Sequence, residues 1–174
     1  NPGTSEKPLY IGVFPAVLDL DLIIHKIIPI RPVNKNIINN VPTKGFFNID
    51  ADTVLSPNSI KSAFKAMGSV CKAVDLICTE KFKNAFCPIR PPGHHAEPEK
   101  AMGFCLFNNV AIGAYYAKLK YKLKKCAVID FDVHHGNGTQ DIFFNNEICD
   151  FPTPVNGIIK LDNDSGIGIN EINL

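Results

Sequence analysis

Apolar residues recur at every third or fourth position between Ser59 and Cys78, which predicts an amphipathic helix over that range. Either Asn58 or Ser59 supplies the side chain that caps its first turn. We expect this helix to cover one face of a sheet. Its apolar stripe consists of Ile60, Ala63, Phe64, Met67, Cys71, Val74 and Cys78.

Short apolar runs alternate with helical patterns along the rest of the chain. An order of strand, helix, strand and helix is typical of an α/β domain with a parallel sheet. In such sheets, ligands bind at the carboxyl ends of the strands. The predicted elements are a strand at 84–89, a helix at 109–119 with Val110, Ala111, Ala114 and Ala117 inside, a strand from Cys126, a helix at 139–144, and strands at 158–161 and 169–174.

Acidic and imidazole side chains follow the apolar run that begins at Cys126, in the sequence CAVIDFDVHHGNGTQ. If the strand continued past Ile129, the alternation of side chains would place Asp130, Asp132 and His134 on one side. Two carboxylates and an imidazole at the end of a buried strand are costly to desolvate unless something pairs with them. A bound cation would do so.

Four of the five histidines form two adjacent pairs, and each pair follows a predicted strand. His94 and His95 come directly after a rigid Arg-Pro-Pro-Gly loop. In the second pair's segment, Asp132 and His134 suit Zn²⁺, and Fe²⁺ is the alternative. A catalytic zinc needs three protein ligands, so His94 and His95 either complete the set or transfer protons. Chemistry favours proton transfer, because an imidazole can take a proton from water and return it to a leaving amine.

Composition narrows the class of protein without changing this picture. The chain has 174 residues, enough for one domain, and 18 basic against 17 acidic residues, for a net charge of +1. That balance gives no reason to expect direct binding to nucleic acid or membranes. No apolar run is long enough for a membrane helix, and no signal peptide is visible. The six cysteines lack CxxC spacing, which indicates reduced thiols and a nuclear or cytoplasmic protein.

Two long motifs in the chain resemble the zinc-dependent histone deacetylases, in wording typical of the class II branch. They are RPPGHHAEPEKAMGFCLFNNVAIGAYY at 90–116 and AVIDFDVHHGNGTQDIFF at 127–144. The resemblance extends less strictly over 50–144, and residues 1–45 stay unassigned. It implies an arginase/deacetylase-like three-layer α/β fold with a mostly parallel sheet. It also implies hydrolysis of an acetyl-lysine amide by a zinc-activated water.

The resemblance also implies roles for the residues around the two histidine pairs. Asp132 and His134 would be zinc ligands. His94 and His95 would stand beside the attacking water, with His95 as the main general base. Asp130 would accept a hydrogen bond from His94 and, with the backbone of Asp132 and His134, contribute to a site for a monovalent cation such as K⁺.

Four more residues take a role from the resemblance. Asn137 would lie behind His95, at a position where other branches of the family carry an aspartate. Gly103 and Phe104 would line the narrow channel that holds the acetyl-lysine stem, and an apolar wall suits its four methylenes. Asp52 would be the rim aspartate that binds the substrate backbone.

The sequence departs from the family pattern in its last part. The family's third zinc ligand, an aspartate in a Gly-Phe-Asp-Ala-His-like segment, does not occur, and neither does the tyrosine of its Gly-Gly-Tyr-like motif. Tyr115 and Tyr116 lie in the predicted helix at 109–119 and cannot be that tyrosine. We therefore expect an N-terminal part of a deacetylase catalytic domain over 1–174, with an incomplete zinc shell and an incomplete sheet.

Two other functions remain open at this point. One is a catalytically silent module that binds acetyl-lysine or a corepressor protein without turnover. The other keeps the fold and the zinc but hydrolyses small acetylated amines such as polyamines. The leading prediction is a hydrolase that acts on acetyl-lysine in histone or other protein tails, as a regulator of chromatin and transcription in the nucleus or the cytoplasm.

Overall fold

The computed structural model describes residues 35–123, 126–130 and 132–143, together with three short strands near the C-terminus. Among these residues, no helix has both the length and the apolar character needed to cross a membrane. The elements in chain order are α1 (Lys35–Asn39), β1 (Phe47–Asn48), β2 (Val54–Leu55), α2 (Ser59–Cys78), α3 (Asn109–Tyr121), β3 (Cys126–Ala127), α4 (Asn137–Phe143), β4 (Cys149–Asp150), β5 (Ile158–Lys160) and β6 (Glu171–Asn173).

The longest helix, α2, has the bounds that the apolar stripe predicts. Met67 and Cys71 from that stripe are fully buried. The helix begins after Asn58, whose side chain makes no capping hydrogen bond. The Ser59 hydroxyl instead accepts a hydrogen bond of 2.8 Å from the backbone N–H of Ser56, which closes the turn before the helix.

The second long helix, α3, packs against α2 and is buried over most of its circumference. Of the four residues predicted on its inner face, Ala111 and Ala117 are buried and Ala114 is partly buried. The fourth, Val110, is 39% exposed, so this prediction is wrong for it. The predicted face was too narrow, because Ile112, Tyr115 and Tyr116 are buried as well.

Aromatic stacking and buried thiols fill the core between the helices. Phe64 of α2 stacks on Phe107 with ring centroids 5.5 Å apart, and Tyr115 of α3 stacks on Phe143 of α4 at 5.6 Å. Burial raises the pKa of Cys71 to about 12, so this thiol stays protonated and packs as a small apolar group. Of the described cysteines, Cys71, Cys78, Cys87, Cys105 and Cys126 form no disulfide.

One carboxylate, Asp75, joins the C-terminal ends of α2 and α3. Its Oδ1 accepts hydrogen bonds from Lys120 Nζ at 2.7 Å, Tyr121 OH at 2.8 Å and Tyr116 OH at 2.9 Å. Burial alone would raise the pKa of this carboxyl, but the hydrogen bonds from these donors outweigh it and lower the pKa. Burial and the neighbouring carboxylate raise the pKa of Tyr116 to about 12, although Lys120 opposes this.

The described strands are short and form three separate pairs. β3 and β4 are parallel, whereas β1 pairs with β2 and β5 with β6 in antiparallel fashion. The strands predicted at 158–161 and 169–174 thus contain β5 and β6. The described residues contain only one parallel pair of strands, so the mostly parallel sheet remains a prediction. Within the described residues, the segment predicted as a strand at 84–89 contains a single bridge residue, Phe86, and is not part of a ladder.

The strand that begins at Cys126 ends at Ala127, earlier than the alternation argument requires. Asp130, Asp132 and His134 therefore do not lie on a continued strand, and that prediction is wrong. The reason is local. The Asp130 carboxylate accepts a hydrogen bond from the N–H of Asp132, and the Asp132 carboxylate accepts one from the N–H of His134, which turns the backbone twice.

Candidate active site

The loop that carries His94 and His95 is fixed by two asparagines at the start of α3. Asn108 caps the helix through a hydrogen bond from the N–H of Ala111, and its amide donates to the carbonyl of Ala96. The amide of Asn109 donates to the carbonyl of Pro91 at 3.1 Å. Sequence reasoning missed this role, although two asparagines directly at a predicted helix start were the available signal.

The loop that carries Asp132 and His134 is tied to the first loop through Thr139. The N–H of Thr139 donates to the carbonyl of His94 at 3.1 Å, and its buried hydroxyl accepts from the amide of Asn108 at 3.0 Å. Thr139 belongs to α4, which begins at Asn137 rather than at the predicted residue 139. The two histidine-bearing loops are thereby held against each other by backbone and buried side-chain contacts.

The first of the tandem histidines is paired with a carboxylate. His94 Nδ1 lies 2.8 Å from Asp130 Oδ2, and both side chains are largely buried, with 17% and 18% of their surfaces exposed. Gly136 makes this approach possible, since a Cβ at that position would clash with Asp130 Oδ2 and lie 3.3 Å from His94 Nδ1. The structure thus brings Asp130 to the position that the resemblance implies.

The second of the tandem histidines is paired with an amide. His95 Nδ1 lies 2.7 Å from Asn137 Oδ1, and Asn137 Nδ2 donates in turn to Glu97 Oε1 at 3.0 Å. Gly103, with a φ of +55°, passes directly over the His95 ring, where a Cβ would lie 2.5 Å from Cδ2. Sequence reasoning placed Asn137 here but missed Glu97.

Three imidazoles converge between the loops. The ring centroids of His94 and His95 are 4.1 Å apart, and those of His95 and His134 are 6.1 Å apart in an edge-to-face arrangement. The fourth imidazole is directed elsewhere, since His135 Nε2 is hydrogen-bonded to Gln140 Oε1. One member of the second histidine pair therefore joins the cluster, and the other does not.

Asp132 and His134 present two adjacent atoms that are able to bind a metal ion, with Asp132 Oδ1 lying 3.0 Å from His134 Nδ1. Two ligands bonded to one Zn²⁺ at about 2.0–2.2 Å are separated by roughly 3.3–3.6 Å when the bond angles are tetrahedral, so a shift of a few tenths of an ångström would admit the ion. The N–H and the ring of His134 lower the pKa of Asp132, so its carboxylate is ionised and able to bind a cation. The pair therefore fits two positions of a zinc site.

A third ligand does not come from the described part of the chain. Among residues 35–123, 126–130 and 132–143, no three His, Cys, Asp or Glu side chains are grouped so that they could hold a metal ion. Asp132 and His134 are also the most exposed members of the cluster, with side chains 50% and 73% exposed. His94 and His95 are instead engaged through Nδ1 by Asp130 and Asn137, which suits proton transfer better than zinc ligation.

The predicted channel residues occupy a tight turn beside the His95 ring. Gly103 and Phe104 both have positive φ, +55° and +63°, and the flanking Met102 and Cys105 exchange two backbone hydrogen bonds. This is the geometry of a type I′ turn. The Phe104 side chain is 62% exposed, so an apolar ring is presented to solvent beside the histidines.

Asp52 is linked to this turn through Thr53, a residue that sequence reasoning missed. The N–H of Phe104 donates to the Thr53 hydroxyl at 3.2 Å, and that hydroxyl donates to Asp52 Oδ1 at 2.8 Å. Asp52 and Phe104 also line one surface cleft of about 370 Å³, together with Arg90. The predicted rim aspartate and the predicted channel wall are therefore neighbours.

The family model described as "Histone deacetylase domain" matches residues 24–150, which is more than half of the chain. The chain belongs to the histone deacetylase domain family. The matched range also includes residues 24–45, which sequence reasoning left unassigned. The recognition of this family from the two histidine motifs is thus confirmed.

Individual histone deacetylases are similar to the chain over part of its length. Type-2 histone deacetylase 2 of Dictyostelium discoideum is 50% identical over 57% of the chain. Histone deacetylase 4 of Caenorhabditis elegans is 43% identical over 62%, and histone deacetylase 9 of Homo sapiens is 44% identical over 58%. These matches confirm the predicted class II likeness. The chain spans only 7%, 14% and 10% of the lengths of these relatives.

One solved structure has a similar fold over part of the chain. The crystal structure of the HDA15 HD domain superimposes with a TM-score of 0.59 and 42% sequence identity, and the match covers 61% of this chain and 30% of that one. This likeness is consistent with the predicted arginase/deacetylase-like fold. The roles of individual residues in the histone deacetylase domain remain predictions.

Proposed function

We propose that this histone deacetylase domain takes part in the zinc-dependent hydrolysis of acetyl-lysine in protein tails, with release of acetate. One observation carries the proposal: two imidazoles, each held at Nδ1 by an acceptor, face a carboxylate–imidazole pair that suits zinc. Nδ1 contacts of this kind leave the Nε2 atoms of His94 and His95 free to face a substrate.

Asp132 and His134 would hold the zinc, with a third ligand from outside the described residues. When bound, Zn²⁺ would supply Lewis acidity, which lowers the pKa of water and polarises an amide carbonyl. Each oxygen of the Asp130 carboxylate accepts one hydrogen bond, from His94 and from the N–H of Asp132. A carboxylate oxygen can accept two, so capacity remains on both oxygens, and this is the basis for a proposed K⁺ site. A dependence of turnover on K⁺ would test that part.

Proton transfer falls to the tandem histidines. His95 would accept a proton at Nε2 from the attacking water and later deliver it to the lysine amine, while Asn137 keeps its ring in place. His94 is oriented by the Asp130 carboxylate, which accepts at Nδ1, so the Nε2 of its neutral ring would accept a hydrogen bond from the water. General acid–base catalysis of this kind contributes about 10²–10⁴ in rate.

The turn beside His95 would provide part of the surface that binds the substrate. Gly103 lets the backbone approach the histidine ring closely, and the exposed Phe104 ring offers an apolar wall to the methylenes of a lysine side chain. Asp52 is exposed, and its carboxylate accepts one internal hydrogen bond, so acceptor capacity remains for the backbone N–H groups of a peptide. A peptide therefore fits this rim better than a small amine, which has no backbone to bind.

The compartment is also a proposal. Five cysteines form no disulfide, which suits the reducing nucleus or cytoplasm; they are Cys71, Cys78, Cys87, Cys105 and Cys126. We propose the nucleus or the cytoplasm as the compartment and acetylated histone tails as substrates.

A substrate panel tests this function. Full-length protein is assayed for acetate release from an acetyl-lysine histone-tail peptide and from an acetylated polyamine, as wild type and as His95→Gln. We expect the peptide to be preferred and His95→Gln to lower its turnover by about 10²-fold or more. Preference for the polyamine would overturn the substrate, and undiminished turnover by His95→Gln would overturn the mechanism.

A further inference from the structure

Asn137 lies between a histidine ring and a carboxylate, and its two amide atoms face different partners. Its Oδ1 is 2.7 Å from His95 Nδ1, and its Nδ2 is 3.0 Å from Glu97 Oε1 and 3.5 Å from Met102 Sδ. An amide has one accepting end and one donating end, so a rotation by half a turn would exchange the two contacts. The residue that fixes the orientation of this amide therefore determines whether His95 Nδ1 faces an oxygen or an N–H group.

Glu97 sets that direction, because an ionised carboxylate only accepts hydrogen bonds. A reversed Asn137 would place its carbonyl oxygen against the Glu97 carboxylate, with no proton between two acceptors. It would also lose a charge-assisted hydrogen bond, and the thioether of Met102 would lose its weak one. Glu97 is itself held by a turn, in which its N–H donates to the carbonyl of Lys100 at 2.9 Å.

The consequence for His95 concerns the position of its proton. With Oδ1 of Asn137 facing Nδ1, the neutral ring must carry its proton on Nδ1, and the lone pair stays on Nε2. A reversed amide would donate to Nδ1 and force the proton onto Nε2, where the ring could no longer accept one. His94 needs no such device, since both oxygens of Asp130 accept whichever way the carboxylate is turned.

We propose that Glu97 is a positioning residue, which fixes the amide of Asn137 and through it the tautomer of His95. The inference rests on the proposed function in one respect, namely that a lone pair on Nε2 of His95 is needed for turnover. The tautomer itself does not depend on that function. Glu97 contacts neither the substrate channel turn at Gly103 and Phe104 nor the Asp132–His134 pair through any hydrogen bond described for it.

The direct test compares Glu97→Gln with wild-type protein. Glutamine has nearly the same shape but can donate as well as accept, so it no longer dictates the direction of the Asn137 amide. Full-length protein labelled with ¹⁵N at histidine is examined by solid-state NMR at mildly alkaline pH, and His95 is assigned by its loss in His95→Gln. We expect one Nδ1–H tautomer in the wild type and a mixture with Nε2–H in Glu97→Gln. A single unchanged tautomer in the variant would overturn the proposal.

Kinetics give a second test, in which Glu99→Gln is the matched control because it removes the same charge from the same loop at an exposed side chain. We expect Glu97→Gln to lower kcat about 10-fold with KM unchanged and Glu99→Gln to have little effect. In an Asn137→Asp background the loss should disappear, because an aspartate accepts at either oxygen and no longer needs Glu97 to orient it. An equal loss in both backgrounds would indicate a merely structural role and overturn the proposal.

The activity of the protein and the role of Glu97 are tested by different outcomes. A wild-type protein that releases no acetate would contradict the proposed function, whereas the tautomer of His95 would still be measured. A protein that releases acetate but shows no change of tautomer in Glu97→Gln would contradict only the role of Glu97.

Discussion

His94 Nδ1 lies 2.8 Å from Asp130 Oδ2, although the two residues are 36 positions apart in the chain. The other oxygen of the same carboxylate accepts a hydrogen bond of 3.1 Å from the N–H of Asp132. One side chain thus holds both an imidazole of the first histidine loop and the start of the segment that carries the predicted zinc ligands.

Replacing Asp130 by asparagine should therefore disturb both loops at once. Asparagine has a single accepting atom, so one that still accepts from the N–H of Asp132 would turn its donating NH₂ group towards His94 Nδ1. We expect Asp130→Asn to lower the turnover of acetyl-lysine peptide by about 10–100-fold, the usual effect of losing an outer-shell partner. Asp141→Asn, at an exposed position on α4, is the control. Turnover above half of the wild-type value in Asp130→Asn would refute this coupling.

Alanine substitutions at Gly103 and Gly45 distinguish the effect of backbone strain from the effect of displacing the His95 ring. Gly103→Ala places a Cβ 2.5 Å from the His95 ring at a φ of +55°, whereas Gly45→Ala meets no atom within 4 Å at a φ of +73°. Both variants should lose about 1 kcal/mol of unfolding free energy from the left-handed backbone. Only Gly103→Ala should also lose activity, by about 100-fold, because it displaces His95. The measurements are urea unfolding and kcat, and equal activity of the two variants would show that His95 tolerates the shift.

Asp75 should stabilise the contact between α2 and α3. Asp75→Ala leaves Tyr116, Tyr121 and Lys120 without their shared acceptor, and we expect a loss of about 2 kcal/mol of unfolding free energy. Asp141→Ala serves as the exposed control and should cost much less. Urea unfolding at neutral pH measures both, and a loss below that of the control would contradict the role given to Asp75.

The same contact predicts a dependence of stability on pH. Because the pKa of Asp75 is lower in the folded protein, its contribution is complete above the ordinary aspartate pKa of about 3.9 and is lost as the pH falls through the folded value. Because the pKa of Tyr116 is raised to about 12, its contribution is complete below about pH 10 and is lost as the pH rises through about 12. The difference between wild type and Asp75→Ala should therefore be constant between these limits and shrink below pH 4. A constant difference down to pH 2 would contradict the assignment.

Local patterns predicted the helices better than the strands. The stripe from Ile60 to Cys78 defined α2 because a long helix satisfies its own backbone, and its buried face repeats in the sequence. The strand prediction for 84–89 is wrong because a strand requires a hydrogen-bonded neighbour, and an apolar run in the sequence does not specify that neighbour. The prediction of a continued strand after Ala127 is wrong because the carboxylates of Asp130 and Asp132 each accept a hydrogen bond from the backbone N–H two residues ahead.

The candidate site was predictable where a motif carries it and unpredictable where distant loops meet. The resemblance placed Asp130 behind His94 and Asn137 behind His95, and the structure brings each pair within hydrogen-bonding distance. It gave no sign of Glu97, whose partner lies 40 positions away, and no single-sequence signal marks such a contact. Thr53 was missed for the same reason, since its partner Phe104 is 51 positions away.

Zinc content and turnover, measured on the same preparations of full-length wild-type protein and Asp132→Asn, test the proposed chemistry most directly. Asp132 presents its oxygen 3.0 Å from His134 Nδ1, and an asparagine there would weaken zinc binding by removing the negative charge. We predict stoichiometric zinc and acetate release from acetyl-lysine peptide in the wild type, and loss of both in a folded Asp132→Asn. Near-normal turnover by Asp132→Asn, or turnover by wild-type protein stripped of zinc, would contradict zinc-dependent deacetylation at this site.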